Sequence, residues 1–395
     1  MNAWIVAGTL AAAAIGPSGP VAGEPQPQAT LEVPPQDAQA QEAERKRLQE
    51  QIAQELGQPA QAGGAAPTAG PPSAAPAAAG TSPYARLLAL PDLSAIGSFA
   101  AEWSGAGERP AFLFEELELG LQSVIDPYAR ADLFIAIGPD ATASLEEGYL
   151  TTLSLPAGLQ VKAGRFFSPW GRINTQHPHT WDFVDGPLAR ERVLADEVLA
   201  GPGVDVSWLA PLPWFAELHV AAQSTAPVEG DPERLTGVIR LAQFLSLTDE
   251  TTLGVGLSAA RRDEGGGELR DLGGADVYLR WRPPATRTAV TLQGELFGRR
   301  ISGAGGSEDW GGYAQLFWRA GPHYGAGVRY DQAPVDPADG TSTERRVSAV
   351  ATWYASEFQR LRLQIARDER PGGQEGWEAL VHLEFGIGAH GAHPF

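Results

Sequence analysis

The 395-residue chain contains no cysteine, which excludes a disulfide framework and a thiolate metal site and removes the residue a lipid anchor would need. Lysine is nearly absent: only Lys46 and Lys162 occur, and 29 lysines and arginines stand against 48 aspartates and glutamates, for a net charge of -19. An acidic balance without basic clusters argues against nucleic acid as a partner. No stretch approaches the roughly 20 apolar residues of a membrane-spanning helix. If such a chain crosses a bilayer, it does so as a closed β-barrel, because hydrocarbon cannot satisfy open backbone N–H and C=O groups. Motifs of catalysis are missing too, with no Gly-x-Ser-x-Gly elbow, no His-Glu-x-x-His helix and no phosphate-cradling glycine loop.

What is present divides the chain into four parts. Residues 1–23 read as a signal peptide, with an apolar run from Met1 to Ile15 and small residues at Val21, Ala22 and Gly23, although the start carries no Lys or Arg. Residues 24–57 form a periplasmic segment. Within it Gln36 to Gly57 predicts a helix whose Leu48, Ile52 and Leu56 make a narrow stripe, suited to a short coiled coil or merely to a solvated helix. Residues 58–92 are rich in Pro, Ala and Gly and read as a linker that cannot bury a core. Residues 93–395 remain for one large domain.

In that domain the hydrophobic period is two. Leu113, Leu117, Leu119 and Leu121 alternate with Glu116, Glu118, Gly120 and Gln122, and the same dyad recurs at Leu253 to Ala259, Val290 to Leu296 and Val381 to Ile387. Tight turns such as Asp126-Pro127, Thr248 to Glu250 and Ala320 to Pro322 alternate with longer polar connections, among them Ser168 to Pro202, Arg261 to Gly273 and Asp368 to Gln374. The count is about sixteen strands. The polar face mixes Gly, Ser, Thr, Gln, Arg and Glu as a wet lumen does, and Trp208, Trp214, Phe215, Trp281, Trp310, Tyr313, Trp318, Tyr324, Tyr330, Trp353 and Tyr354 cluster near strand ends like interfacial girdles. The expected fold is all-β: a transmembrane antiparallel barrel, behind the short helix and the linker.

The longest connection, 168–202, is the candidate functional element. It is too aromatic for a disordered segment, and Trp170, Trp181 and Phe183 would be costly to expose on an outer loop. Folded inward, it would narrow the lumen; the competing reading is the active-site lid of a soluble β protein. Arg165, Arg172, Asn174, Asp182, Asp185, Arg190 and Arg192 are the candidate constriction residues. The arginines would oppose Asp182, Asp185, Glu191, Asp196 and Glu197 across the pore, or pair with them and merely hold the loop. His177 and His179, with Asp182 and Asp185 nearby, are the candidate metal ligands, zinc being the ion that imidazole and carboxylate suit; packing of the loop is the plainer alternative.

Several ordered motifs carry a resemblance: Glu147-Gly-Tyr-Leu150, Gly164-Arg-Phe-Phe-Ser-Pro-Trp-Gly171 with Asn174, Gly327-Val-Arg-Tyr-Asp331, and Ser356-Glu-Phe358 with Arg360 and Arg362. Over residues 93–395 the chain resembles the Gram-negative outer-membrane porins related to phosphate-selective porins. The segment from Asn174 to Asp185 and the ending from Gly388 to Phe395 look more like a subgroup sometimes called zinc-regulated outer-membrane receptors. The resemblance implies an outer-membrane channel for small hydrophilic solutes or ions, often a homotrimer, embedded in outer-membrane lipid. It also implies a third loop folded inward and a terminal Phe395 read by the barrel-assembly machinery. The lysines that line phosphate-selective paths are missing, and Pro394 before Phe395 is atypical. A metal-binding or uptake accessory is the alternative function and an outer-membrane hydrolase the remote one.

Overall fold

The computed structural model describes residues 91–104, 111–194, 198–225, 234–303, 306–335 and 342–388. The expected signal peptide, the 36–57 helix and nearly all of the linker lie outside the described residues, as do Asp196, Glu197, His390, His393 and Phe395.

Sixteen antiparallel strands close on themselves. In chain order they are β1 (Asp92–Ser104), β2 (Ala111–Asp126), β3 (Ala129–Ile137), β4 (Ala143–Thr152), β5 (Leu159–Phe167), β6 (Ala200–Leu209), β7 (Phe215–Thr225) and β8 (Arg234–Ser246). They continue as β9 (Thr251–Gly265), β10 (Glu268–Trp281), β11 (Ala289–Ser302), β12 (Glu308–Ala320), β13 (Tyr324–Pro334), β14 (Thr343–Ser356), β15 (Gln359–Arg370) and β16 (Gln374–Gly388). Each strand pairs with its sequence neighbours, and β1 pairs with β16, Ser94 opposite Gly388 and Ser104 opposite Glu378, so no sheet edge is left open.

The alternation resolves into an inside and an outside of inverted polarity. Leu257, Leu296 and Ile387 are more than 60 % exposed on the outer face, whereas Glu118, Gln223 and Asp331 are at most 2 % exposed within. A water-soluble sandwich does the reverse, since exposing a leucine to water forfeits about 1.5–3 kcal/mol of burial. An outer face of leucine, isoleucine and valine is stable against lipid, and a polar interior suits a wet lumen. Exposed Trp208, Trp214, Phe215, Trp281, Trp318, Tyr324 and Trp353 ring the end with the tight turns, and Trp103, Trp310, Tyr330 and Trp377 are exposed toward the other end. Tyr313 and Tyr354 leave the expected girdle. Tyr313 is buried inside, donating to Glu295 Oε1 at 2.8 Å, and Tyr354 packs under the Arg319 guanidinium, 3.4 Å from its ring centre.

Two expected polar connections are strand instead. Residues 261–273 belong to β9 and β10, joined by a two-residue turn at Gly266 and Gly267, whose φ of 64° and 89° glycine adopts without the cost of a Cβ. The charges there form a cross-strand ladder: Arg261 Nε donates to Asp271 Oδ1 at 2.6 Å, and Glu264 is held by Arg262 and Arg270, both at 2.6 Å. Likewise only residues 371–373 separate β15 from β16. Charge at a strand end was mistaken for loop because, without the pairing, the two look the same in sequence.

One irregularity bears on function. Phe134 pairs with Glu147 and Ile135 with Leu145, leaving Glu146 as the extra residue of a β-bulge in β4. The bulge lets two consecutive glutamates, Glu146 and Glu147, approach the lumen together.

Candidate functional site

The connection between β5 and β6 enters the barrel and circles its inner wall. Its neck is closed by Asn174, which is fully buried: Nδ2 donates to the carbonyls of Ser168 and Leu199, both at 3.0 Å, and Oδ1 accepts from Leu199 N at 2.8 Å. Gly171 adopts φ 60°, and a Cβ there would fall 2.6 Å from Glu295 Oε2, so only glycine allows this approach to β11. The Glu295 carboxylate then accepts from the backbone N of Arg172 and of Ile173, at 2.8 and 2.7 Å. Beyond the neck, Trp170 stacks on Phe297 at 5.5 Å. Ile173, Leu188, Ala189, Val193 and Leu194 pack with Val238, Ala260, Leu272 and Phe297 of the wall.

Farther along, arginines of the opposite wall grip the loop's carbonyls. Arg360 Nη1 and Arg362 Nη1 both donate to Trp181 O at 2.9 Å, Arg362 Nη1 also to Phe183 O at 2.6 Å, and Arg360 Nη2 to His179 O. Arg329 Nη1 donates to Asp185 O at 2.8 Å, and Val184 N donates to Gln364 Oε1 at 2.8 Å. The loop is therefore fixed along the arc of wall from β11 through β13 to β15. Toward its end it carries a single π-turn at Arg190–Leu194.

Of the candidate constriction residues, Arg172 and Asp182 face open space. Arg172 lies 3.9 Å over the Tyr278 ring, and these two residues line both of the chambers the loop leaves in the lumen. The first chamber, about 440 Å³, holds Arg172, Arg280, Arg319 and Arg329 against Asp182 and Asp185. Burial pushes the Asp182 carboxyl above the ordinary range, against the pull of Arg360, Arg362 and Arg280. Burial opposes ionisation of Asp185 too, but Arg329 and Arg346 outweigh it and hold the carboxyl below its ordinary range. Their Nη2 and Nη1 reach its two oxygens at 2.8 Å each.

The other four candidates do not line this path. Arg165 falls on the outer face, opposite Gly148, with Nε donating to Leu145 O at 2.9 Å, because strict alternation points Lys162 and Phe166 inward instead. Asn174 is consumed by the neck. Arg190 is buried over the Trp181 ring, and Arg192 reaches Glu344 of β14 at 3.4 Å while its carbonyl accepts from Arg299. Asp185 and Arg192 pair with the wall, through Arg329, Arg346 and Glu344.

His177 and His179 do not meet Asp182 or Asp185; they meet glutamates of β2 and β4. His177 Nδ1 lies 3.0 Å from Glu118 Oε2 and 3.3 Å from Glu146 Oε2, Nε2 lies 2.9 Å from Glu147 Oε2, and His179 Nδ1 lies 3.2 Å from Glu118 Oε2. Phe134 and Phe167 flank the His177 ring at 5.0 and 4.6 Å. Burial opposes a charge on His177, yet the three glutamates outweigh it and hold the imidazolium well above its ordinary range. Sequence reasoning missed Glu118, Glu146 and Glu147, and it missed the loop's anchors Glu295, Arg329 and Arg346. A usable signal was present for the docking face: Val238, Leu272 and Phe297 are apolar at positions whose period places them on the polar face.

A closed sixteen-stranded barrel with an inward-folded third connection defines the porin fold class. Among solved structures, the chain is similar to Pseudomonas putida OprB, with a TM-score of 0.57 and 10 % identity over 77 % of this chain and 96 % of that one. The anion-selective porin of Comamonas acidovorans matches with a TM-score of 0.54 and 13 % identity over 75 % and 99 %, and a loop-deleted OmpT of Vibrio cholerae with 0.55 and 8 % over 75 % and 99 %. An uncharacterized protein of Aquifex aeolicus is 27 % identical over 80 % of this chain and 82 % of its own. No family model matches the sequence.

Proposed function

We propose that the protein is an outer-membrane channel for passive diffusion of small hydrophilic solutes, with residues 168–199 as its constriction and its N-terminal segment in the periplasm. The observation that carries this reading is the loop's course from β5 through a polar lumen to anchors on β11 and β13, which leaves chambers rather than a plug.

The charge along the path supports a preference for anions. The buried Nε of Arg172 and that of Arg280 have no hydrogen-bond partner among the described residues. Arg280 and Arg319 continue from the first chamber to a cleft near the β10–β11 turn, where Arg282 and Arg287 join them and no carboxylate lines the wall. Acids of the second chamber are spent on partners: Asp276 on Arg240 at 2.6 Å, Asp205 on His219 at 2.9 Å and Glu147 on His177. Reversal potentials of purified protein in planar bilayers under a KCl gradient test the proposal. Anion-selective current is expected; no current from folded protein would remove the channel reading, and cation selectivity would remove the charge argument.

A further inference from the structure

We propose that Glu118, Glu146 and His177 form a binding site for a divalent transition-metal cation of the zinc class, which clips the constricting loop to β2 and β4. The three residues come from three separate elements, and one donor atom from each lies within 4.8 Å of the others. The contacts through His177 Nδ1, 3.0 Å to Glu118 Oε2 and 3.3 Å to Glu146 Oε2, approach the edge of a tetrahedron whose centre is bonded at about 2.0–2.1 Å, an edge of about 3.3 Å. His179 Nδ1, 3.2 Å from Glu118 Oε2, stands beside the trio as a further nitrogen donor.

Two independent observations point to a ligand rather than to a solvated acidic cluster. First, Glu118 is only 2 % exposed, and the buried Oε2 atoms of Glu118 and Glu146 carry no hydrogen bond of ordinary geometry although they converge on one imidazole edge. A buried carboxylate oxygen is normally hydrogen-bonded, so its orientation toward other donors calls for a shared partner. Second, Glu147 occupies the opposite ring nitrogen: its Oε2 lies 2.9 Å from His177 Nε2. A bound ion would displace the Nδ1 proton of the imidazolium, and the carboxylate on Nε2 would then fix the tautomer that leaves Nδ1 as a lone pair, the arrangement that supports metal-bound histidine. The bulge at Glu146 makes this possible, since without the extra residue Glu146 and Glu147 would alternate across the wall.

The ligand chemistry sets the class of ion. Imidazole with carboxylates suits zinc and its transition-metal neighbours, whereas calcium and magnesium favour all-oxygen shells. Bound there, the ion would fix Gln176 to Thr180, the part of the loop between its anchors on β11 and on β15.

Calorimetric titration of chelator-stripped, detergent-solubilised full-length protein with ZnCl2 tests the site. One equivalent is expected to bind, and to bind equally in Asp205→Asn, which alters the separate His219 cluster. Glu147→Gln, which removes only the orienting carboxylate, is expected to weaken affinity by roughly 10- to 100-fold. Glu118→Gln with Glu146→Gln should abolish binding, with heat-modifiable migration on gels confirming that the variant folds. Absence of zinc binding by the wild type at millimolar concentration overturns the proposal on its own, whether or not the double variant folds. So does binding that persists undiminished in a folded double variant.

Discussion

At Arg172 one guanidinium lies on an aromatic ring between two chambers, with its backbone N held by Glu295. The side chain is therefore positioned by the wall, and its field acts on whatever passes. A unit charge about 4 Å from a passing ion is worth about 1 kcal/mol in water, so Arg172→Ala should lower the anion-to-cation permeability ratio by about fivefold. A shift in reversal potential toward cations checks this, with conductance little changed. Asp185 plays a different part, joining Arg329, Arg346 and Gln364 at once. Its folded-state pKa is depressed, so the stability it contributes is full above the ordinary aspartate value and is lost as pH falls through the folded one. Loop fluctuations, seen as current noise, should accordingly rise only below about pH 4. Asp185→Asn should reproduce that noise at neutral pH and cost about 3 kcal/mol, because its buried arginine partners lose a charged acceptor.

The loop as an element was legible in outline and opaque in detail. Trp170, Trp181 and Phe183 announced that residues 168–202 must be covered, and all three are buried inside the barrel, with Leu194 and Leu199 toward the loop's end. Legibility ended where pairing begins: Arg329, Arg346, Arg360 and Arg362 occupy inward strand positions that look like any lumen polar residue until register sets them opposite loop carbonyls and the Asp185 carboxylate. Glu118 and Glu146 were invisible for the same reason, lying about 60 and 30 residues from the histidine they meet. Asn174 shows the converse error, since a polar residue in a pore loop suggested solute contact while its amide was needed to close the neck. Asn174→Ala leaves the buried Leu199 N without its acceptor, worth about 1–3 kcal/mol, while the carbonyls of Ser168 and Leu199 lose one donor each and keep Trp170 N and Ser168 N. Thermal unfolding in detergent should fall measurably, with the barrel still formed.

For the whole molecule, the sequence disclosed the architecture because alternation is a local signal, and sixteen dyads need no long-range knowledge to be counted. Closure itself followed from the need to leave no open edge in hydrocarbon; what the sequence could not disclose was the register of the β1–β16 seam, which joins the ends of a chain segment nearly 300 residues long. Since that closure uses only residues from Asp92 to Gly388, removing residues 36–57 should leave heat-modifiable migration unchanged, and loss of it would show that the helix takes part in barrel stability. The central claim is that residues 168–199 narrow an otherwise open lumen. Single-channel recording of a variant in which Gln176 to Val193 is replaced by a short glycine-serine link tests it most directly. Conductance well above the wild-type value is expected; unchanged conductance in a folded variant would contradict it.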